Sequence, residues 1–173
     1  LPSPAGDDAL LALHREAVAR NALGEGMVYC QVTRGAPAER DFVWPGAEVP
    51  PGLVLFTQGK PGLAEGAQAR SGIAVATVPD LRWGRRDIKT VQLLYPSWAK
   101  MIARERGADD AWMVEDGLVT EGSSNNAWIV AGGRIVTRGL GEDILAGITR
   151  ATVMRCAAEA QLAVEERPFT VEE

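Results

Sequence analysis

Two tight-turn signals constrain the fold of this chain more than any other feature. Asp116-Gly117 and Gly132-Gly133 each separate two short runs of apolar residues within the segment 111–137. Asp-Gly and Gly-Gly pairs accept the positive φ angles that a two-residue hairpin turn requires. The segment is therefore predicted to consist of antiparallel strands.

The rest of the pattern predicts helices together with further strands, which is an α+β fold. Residues 27–34 alternate between apolar and polar side chains, as expected of a strand with one buried face. Short apolar runs predict strands over 53–56 and 73–78. Pro96 is well placed to begin a helix, because its missing amide proton costs little there, and another helix is predicted to begin at Gly147.

Composition argues against several classes of function. The 173 residues, of which 46% are hydrophobic, suit one large domain or one domain and a fragment of another. A net charge of −5 without a basic block argues against a nucleic-acid partner, and no apolar run approaches the roughly 20 residues of a membrane helix. The widely spaced Cys30 and Cys156 and a single histidine disfavour a zinc site or a disulfide framework, so a protein of the reducing cytoplasm without a metal is expected.

The basic stretch 80–90 contains a candidate nucleophile, Lys89. Ile88 and Val91 flank the lysine, so the sequence predicts a strand or the end of a strand at this point. Apolar surroundings and neighbouring cations make a lysine amine easier to deprotonate and hence a usable nucleophile. An ordinary surface lysine in a basic run would give the same local pattern, and the residue alone does not decide between the two.

Two further features complete a possible binding site for one cofactor. Glu121 is a carboxylate at the end of a predicted strand, and Gly147-Ile148-Thr149 opens a helix whose free amides and dipole favour a phosphate. An amine, a carboxylate and a phosphate seat are the groups that bind pyridoxal phosphate. A solvated turn carboxylate at Glu121 and a plain helix cap at Thr149 are the alternatives for these residues taken singly.

Several motifs follow one another along nearly the whole chain. They are VYCQVTRG at 28–35, DIKT at 87–90, VTEGSSNN at 119–126, GITR at 147–150 and ERPFT at 166–170. In sequence and in order these motifs resemble the fold-type IV pyridoxal-phosphate aminotransferases, most closely the D-amino acid (D-alanine) aminotransferase branch.

The resemblance implies a role for each matching residue around the cofactor ring. Lys89 matches the lysine that forms the Schiff base and moves the proton between the substrate alpha carbon and the cofactor C4′ carbon. Glu121 matches the acid paired with the pyridine nitrogen, and Leu145 matches the residue packed on the face of the ring. Arg82 lies where the family keeps an arginine near the site.

The resemblance also implies which residues hold the phosphate and line the cofactor. Ile148 and Thr149 match the phosphate-binding turn, which provides backbone amides and a hydroxyl. Ser123 and Ser124 match polar residues that line the cofactor. All of these residues belong to the part of the chain that resembles the larger, cofactor-binding domain.

The substrate side departs from the family pattern. The D-amino acid branch holds the substrate carboxylate with an arginine followed two residues later by a histidine, and here Arg40 and Phe42 take these places if the loop is one residue longer. Tyr29 is the third residue expected near the substrate. A bidentate arginine alone can hold a carboxylate, although an ion pair of Arg40 with Asp41 or Glu39 is the alternative.

The resemblance implies a domain division and an activity. Residues 1–60 match the end of a small N-terminal α/β domain, 61–70 a connection, and 71–173 the beginning of a β-rich large domain with packed helices, so the chain is expected to be truncated at both ends. The implied activity is transamination between a D-amino acid such as D-alanine and a 2-oxo acid such as 2-oxoglutarate, by a homodimer. The alternatives are a branched-chain L-amino acid aminotransferase, an aminodeoxychorismate lyase of the same fold, or a catalytically silent fragment.

Overall fold

A computed structural model describes residues 3–39, 41–63 and 65–173, with helices and sheets combined as an α+β fold. Its internal contacts divide the chain into two units, Leu1–Arg70 and Ser71–Glu173. The boundary falls where the sequence places the start of the large domain. The assignment of each unit to a domain of the family stays a prediction.

The first unit is a helix packed on a two-stranded sheet. Helix α1 (Asp7–Arg20) contacts both β1 (Gly26–Thr33) and β2 (Gly52–Gly59), and the two strands pair antiparallel along their whole lengths. A short helix, α2 (Ala67–Ser71), follows. The strand predicted from alternation over 27–34 is confirmed as β1.

A mixed three-stranded sheet begins the second unit. Strand β3 (Val75–Pro79) pairs parallel with β4 (Asp110–Glu115), which pairs antiparallel with β5 (Leu118–Gly122). Helix α3 (Leu94–Glu105) connects β3 to β4 and packs on both strands. The helix begins two residues before Pro96, the start that the sequence predicted. Pro96 lies in the first turn, where a missing amide proton costs no helical hydrogen bond.

A second three-stranded sheet follows, with a helix between its last two strands in the chain. Strands β6 (Trp128–Ala131) and β7 (Arg134–Thr137) form an antiparallel hairpin, and β7 pairs parallel with β8 (Val164–Glu166). Helix α4 (Ile148–Glu159) lies between β7 and β8 in the chain. The apolar core that joins the two sheets buries Val119, Ala127, Val136 and Phe169.

Both predicted hairpin turns are confirmed. Asp116 and Gly117 have φ angles of 51° and 76°, and Gly132 and Gly133 have φ angles of 56° and 74°. Two consecutive positive φ angles are the signature of the turn that matches strand twist, which explains why these residue pairs end β4 and β6.

The predicted strand around Lys89 is wrong. Residues 80–93 form turns and irregular backbone between β3 and α3. The apolar residues that suggested a buried strand are exposed, with 44% of Ile88 and 75% of Val91 accessible to solvent. One turn and one long-range bond hold this loop: Ile88 N–H donates to Arg85 C=O at 3.2 Å, and Arg86 N–H donates to Glu142 C=O at 2.8 Å.

Candidate functional site

An open cleft of about 1010 Å³ lies within the second unit. It is lined mainly by three segments: 81–96, which is the β3–α3 loop with the first residues of α3; 121–126, which is the end of β5 with the turn after it; and 145–150, which leads into α4 and includes its first residues. The predicted site residues of this unit all line the cleft, namely Arg82, Lys89, Glu121, Ser123, Ser124, Leu145, Ile148 and Thr149. The structure thus brings together groups that come from three distant stretches of sequence.

Lys89 is on the exposed wall of this cleft. It lies on the β3–α3 loop between Ile88 and Thr90, which also line the cleft. Within the described ranges, its amine has neither a hydrogen bond nor an ion pair. The amine is therefore open to a ligand that enters from solvent.

Glu121 forms the buried end of the cleft, at the penultimate position of β5. One carboxylate oxygen, Oε1, accepts a hydrogen bond from Arg82 Nη1. The other, Oε2, accepts from Asn126 Nδ2 at 3.0 Å and from Leu145 N–H at 3.1 Å. Burial raises the pKa of the Glu121 carboxyl above its usual range, because the hydrogen bond and the charge of Arg82 offset the desolvation only in part.

Arg82 is in turn held by Asp80, whose side chain is fully buried. Asp80 accepts hydrogen bonds from Arg82 Nε at 2.9 Å and Nη2 at 2.6 Å, and from the Thr120 hydroxyl at 2.6 Å. Burial would raise the pKa of Asp80, but these hydrogen bonds outweigh it and hold the pKa below its usual range. Arg82 therefore links a well-compensated carboxylate to Glu121, which is compensated less.

Asp110, the first residue of β4, holds the turn that follows β5. Its carboxylate accepts hydrogen bonds from the Ser123 hydroxyl and, at 2.9 Å, from Asn125 Nδ2. Burial acts to raise the pKa of Asp110, while its hydrogen bonds, that of Ser123 foremost, bring it below its usual range. Because the Ser123 hydroxyl already donates to Asp110, the exposed Ser124 is left as the hydroxyl donor of this turn.

The third wall is the N-terminus of α4. Gly147 precedes the helix, and no side chain among the residues that the structure describes caps its first amides. Ile148 is 85% exposed and Thr149 is also exposed. Free N–H groups at a helix start attract anions, and a hydroxyl beside them adds a further donor.

The predicted substrate residues lie in the first unit. Tyr29 stacks on Phe56 with ring centroids 4.7 Å apart and donates its hydroxyl to Gln31 Oε1 at 2.6 Å. Phe42 is 87% exposed. Arg40 lies outside the described residues, so its predicted role at the substrate carboxylate remains a prediction.

Sequence analysis missed Asp80, Asp110 and Asn126, which hold the residues that it found. Each has a partner distant in sequence, namely Thr120 for Asp80, Ser123 for Asp110 and Leu145 for Asn126, which no local motif indicates. A weak signal exists for Asp80: it follows a predicted strand and stands two residues before an arginine. No group of three or more metal-ligating side chains occurs within the described parts of the chain. Over the same residues, no helix has the length and apolar character needed to cross a membrane.

Comparisons with known proteins match the whole chain. A family model described as amino-transferase class IV covers residues 1–173. The D-alanine aminotransferase of Staphylococcus aureus (strain MSSA476) is 36% identical over 165 residues, which is 95% of this chain and 57% of that protein. The chain thus spans little more than half the length of the curated relatives it matches.

Solved structures of similar fold agree with the family model. The fold IV transaminase CpuTA1 from Curtobacterium pusillum has a TM-score of 0.74 at 27% identity, covering 96% of this chain and 57% of its own. The branched-chain amino acid aminotransferase of Escherichia coli has a TM-score of 0.75 at 21% identity, covering 99% of this chain and 58% of its own, and supports the fold alone. From the family model and the relatives together, this chain belongs to the class IV aminotransferase family.

Proposed function

We propose that this protein is a pyridoxal-phosphate-dependent aminotransferase that exchanges the amino group of a D-amino acid, D-alanine in the first instance, with a 2-oxo acid such as 2-oxoglutarate. One observation carries the proposal: Lys89, Glu121 and the N-terminus of α4 line a single cleft. The curated relatives named D-alanine aminotransferase support the substrate class.

The carboxylate of Glu121 suits a protonated ring nitrogen. A carboxylate offers about four lone-pair positions. Arg82, Asn126 and the Leu145 amide take three hydrogen bonds, which leaves room for one more donor. Because burial raises the pKa of Glu121, its ionised form is under-compensated, and a cationic N–H donor would stabilise it.

The start of α4 suits a phosphate. Its uncapped amides and the exposed Thr149 hydroxyl are donors for the oxygens of a phosphate. Ser124, in the turn after β5, offers a further hydroxyl to the same cleft. When bound, pyridoxal phosphate supplies an aldehyde that captures the substrate amine and a ring that accepts electrons from its alpha carbon.

The residues of this chain would then divide the work. Lys89 would hold the cofactor through its amine and, when that amine is free, would take the proton from the substrate alpha carbon and return it during the exchange. Glu121 would keep the ring nitrogen protonated, Leu145 would pack on the ring, and Arg82 holds Glu121 in place. Arg40, with Phe42 and Tyr29 nearby, is proposed to bind the substrate carboxylate.

Replacement of Lys89 tests the assignment. Lys89→Ala should abolish the visible absorbance that appears when pyridoxal phosphate attaches to the lysine, and should abolish transamination. Lys60→Ala is the matched control, because Lys60 lies in the first unit and outside the cleft. Retention of the absorbance in purified Lys89→Ala would show that another amine holds the cofactor.

Substrate preference is tested separately. Keto acid release from D-alanine and from L-leucine, each with 2-oxoglutarate, distinguishes the D-amino acid enzyme from a branched-chain L-amino acid aminotransferase. Release of pyruvate from aminodeoxychorismate would instead indicate the lyase. Turnover of L-leucine without turnover of D-alanine would overturn the proposed substrate class, and cofactor binding without any turnover would indicate a silent protein.

We also propose that the protein acts as a cytoplasmic homodimer. The family resemblance supports the dimer, and the free, exposed thiols of Cys30 and Cys156 are compatible with a reducing compartment. The mass of the purified protein in solution tests the oligomeric state.

A further inference from the structure

We propose that Asn126 is a positioning residue that holds the two anchors of the cofactor, the Glu121 carboxylate and the N-terminus of α4, at a fixed separation. The inference rests on the proposed function, because it concerns the cleft assigned above to pyridoxal phosphate. Asn126 itself was not among the residues predicted to bind the cofactor.

The amide nitrogen of Asn126 joins two separate pieces of the cleft wall. It donates to Glu121 Oε2 at 3.0 Å and to the C=O of Leu145 at 2.9 Å. The N–H of Leu145 donates to the same Glu121 oxygen at 3.1 Å. Glu121 on β5 and the segment before α4 are therefore joined by the Asn126 side chain in addition to this direct bond, and both hydrogens of the Asn126 amide are used.

The amide oxygen of Asn126 lies against Gly147, the residue that precedes α4. A Cβ atom added at Gly147 would lie 2.4 Å from Asn126 Oδ1, closer than any ordinary contact. The φ and ψ angles of Gly147, −67° and 138°, are open to any residue. A side chain at position 147 would therefore have to displace the Asn126 amide, which its two hydrogen bonds hold, whereas the backbone conformation itself does not call for glycine.

The neighbouring Asn125 has a different task. Its Nδ2 donates to Asp110 Oδ2 at 2.9 Å, and its C=O accepts from Gly122 N–H at 2.7 Å. Both hydrogen bonds shape the turn after β5, and neither reaches the segment that leads into α4. The pair Asn125 and Asn126 therefore provides a matched comparison of two adjacent asparagines.

The distance between the anchors matters for a ligand that is held at both ends. A ligand bound only at Glu121 loses affinity when Glu121 moves, whether or not α4 moves with it. A ligand bound at Glu121 and at α4 loses additional affinity when the two anchors are no longer in register. The affinity contributed by the phosphate group therefore reports on the link that Asn126 makes.

The first experiment compares pyridoxal phosphate with pyridoxal, which lacks the phosphate. Dissociation constants are measured by fluorescence titration of the wild-type protein, Asn126→Ala and Asn125→Ala. In Asn126→Ala the ratio of the pyridoxal constant to the pyridoxal phosphate constant should fall by about tenfold, the scale expected from the lost hydrogen bonds. In Asn125→Ala the ratio should stay near that of the wild type. An unchanged ratio in Asn126→Ala, or an equal fall in both variants, would overturn the proposal.

The second experiment needs no cofactor. Gly147→Ala should lower the thermal unfolding midpoint of the wild-type background, and it should cost much less in an Asn126→Ala background, because the remaining contact of the new Cβ is with Arg150 Cβ at 3.9 Å. Equal effects in the two backgrounds would refute the packing of Asn126 against Gly147. If the wild type binds neither pyridoxal nor its phosphate, the proposed function fails, while this unfolding cycle still decides whether Asn126 holds the start of α4.

Discussion

Asp80→Asn is the substitution for which the structure gives the clearest quantitative expectation. Asp80 has no solvent-exposed side-chain surface, and it pairs with Arg82 at 2.6 Å and lies 3.6 Å from Arg86 Nε. The backbone N–H of Arg82 and the hydroxyl of Thr120 also donate to it, at 3.1 Å and 2.6 Å. Asparagine keeps the shape of the side chain and removes its charge.

The expected loss of unfolding free energy comes from Arg82 and Arg86, whose positive charges would lack the Asp80 carboxylate. Removing one partner of a buried ion pair typically costs about 3–5 kcal/mol, because the other charge is left uncompensated. The lower end, about 3 kcal/mol, applies here since Arg82 keeps Glu121 and Arg86 keeps Glu115. With a denaturant dependence of about 2 kcal/mol per molar urea, the unfolding midpoint should fall by roughly 1.5 M.

The loss should depend on pH with a definite sign. The folded pKa of Asp80 lies below its ordinary value of 3.8, so its ionised form stabilises the folded state above that pH. The contribution disappears as the pH falls below 3.8 and through the folded pKa. The difference between wild type and Asp80→Asn should therefore be full at pH 7 and shrink in strong acid.

Urea unfolding followed by circular dichroism at several pH values measures both effects. Asp87→Asn is the matched control, because Asp87 pairs with Arg85 at 2.8 Å in the same loop but with 33% of its side chain exposed. An exposed pair contributes little. Equal midpoints for the two variants at pH 7, or a difference that persists undiminished in acid, would refute the account of the buried cluster.

Two further predictions concern the walls of the cleft. Ser123→Ala should lower the free energy of unfolding, measured with urea, by about 1 kcal/mol, because its hydrogen bond to Asp110 is lost. Ser124→Ala should leave the free energy of unfolding unchanged and weaken the binding of pyridoxal phosphate, measured by titration. The folded pKa of Glu121 is raised above its ordinary value of 4.5, so pyridoxal phosphate affinity should begin to fall in acid already above pH 4.5. The difference in affinity between wild type and Glu121→Gln should be largest above the raised pKa and shrink as the pH falls through it. A constant difference down to pH 4 would contradict this assignment.

The hairpins were predictable because their chemistry is local. The pairs Asp116-Gly117 and Gly132-Gly133 adopt positive φ angles with few alternatives, so the turn fixes where each strand ends and the next begins. Glu121 could be placed near a strand end for the same reason, since β5 follows directly from the first turn. Local rules of this kind account for most of the second unit.

The loop at Lys89 shows where such rules fail. Ile88, Val91 and Leu94 belong to a largely apolar segment around Lys89, and apolar segments commonly signal buried strands. In the structure all three are exposed, with 84% of Leu94 accessible. Hydrophobicity alone cannot distinguish a residue of the core from one at the rim of a cleft.

The supporting residues of the site were unpredictable for a different reason. Arg82 and Glu121 meet across 39 positions of sequence, and Asp110 reaches Ser123 across 13. Which of these side chains meet depends on how β3, β4 and β5 lie beside one another, and the sequence of each strand taken singly does not show that. The resemblance to known aminotransferases pointed to residues that line the cleft, but not to those that hold them.

Arg82 is shared unequally between Asp80 and Glu121, which explains how one buried cluster can contain two carboxylates whose pKa values shift in opposite directions. Asp80 takes the Nε and Nη2 hydrogen bonds of Arg82, while Glu121 takes only Nη1. The pKa of Asp80 is accordingly lowered and that of Glu121 raised, although both contact the same guanidinium. If Arg82 compensated the negative charge of Glu121 completely, the carboxylate would attract a protonated ring nitrogen only weakly. By engaging most of the guanidinium, Asp80 leaves the Glu121 carboxylate short of positive charge, which under the proposed function favours its pairing with a cationic ring.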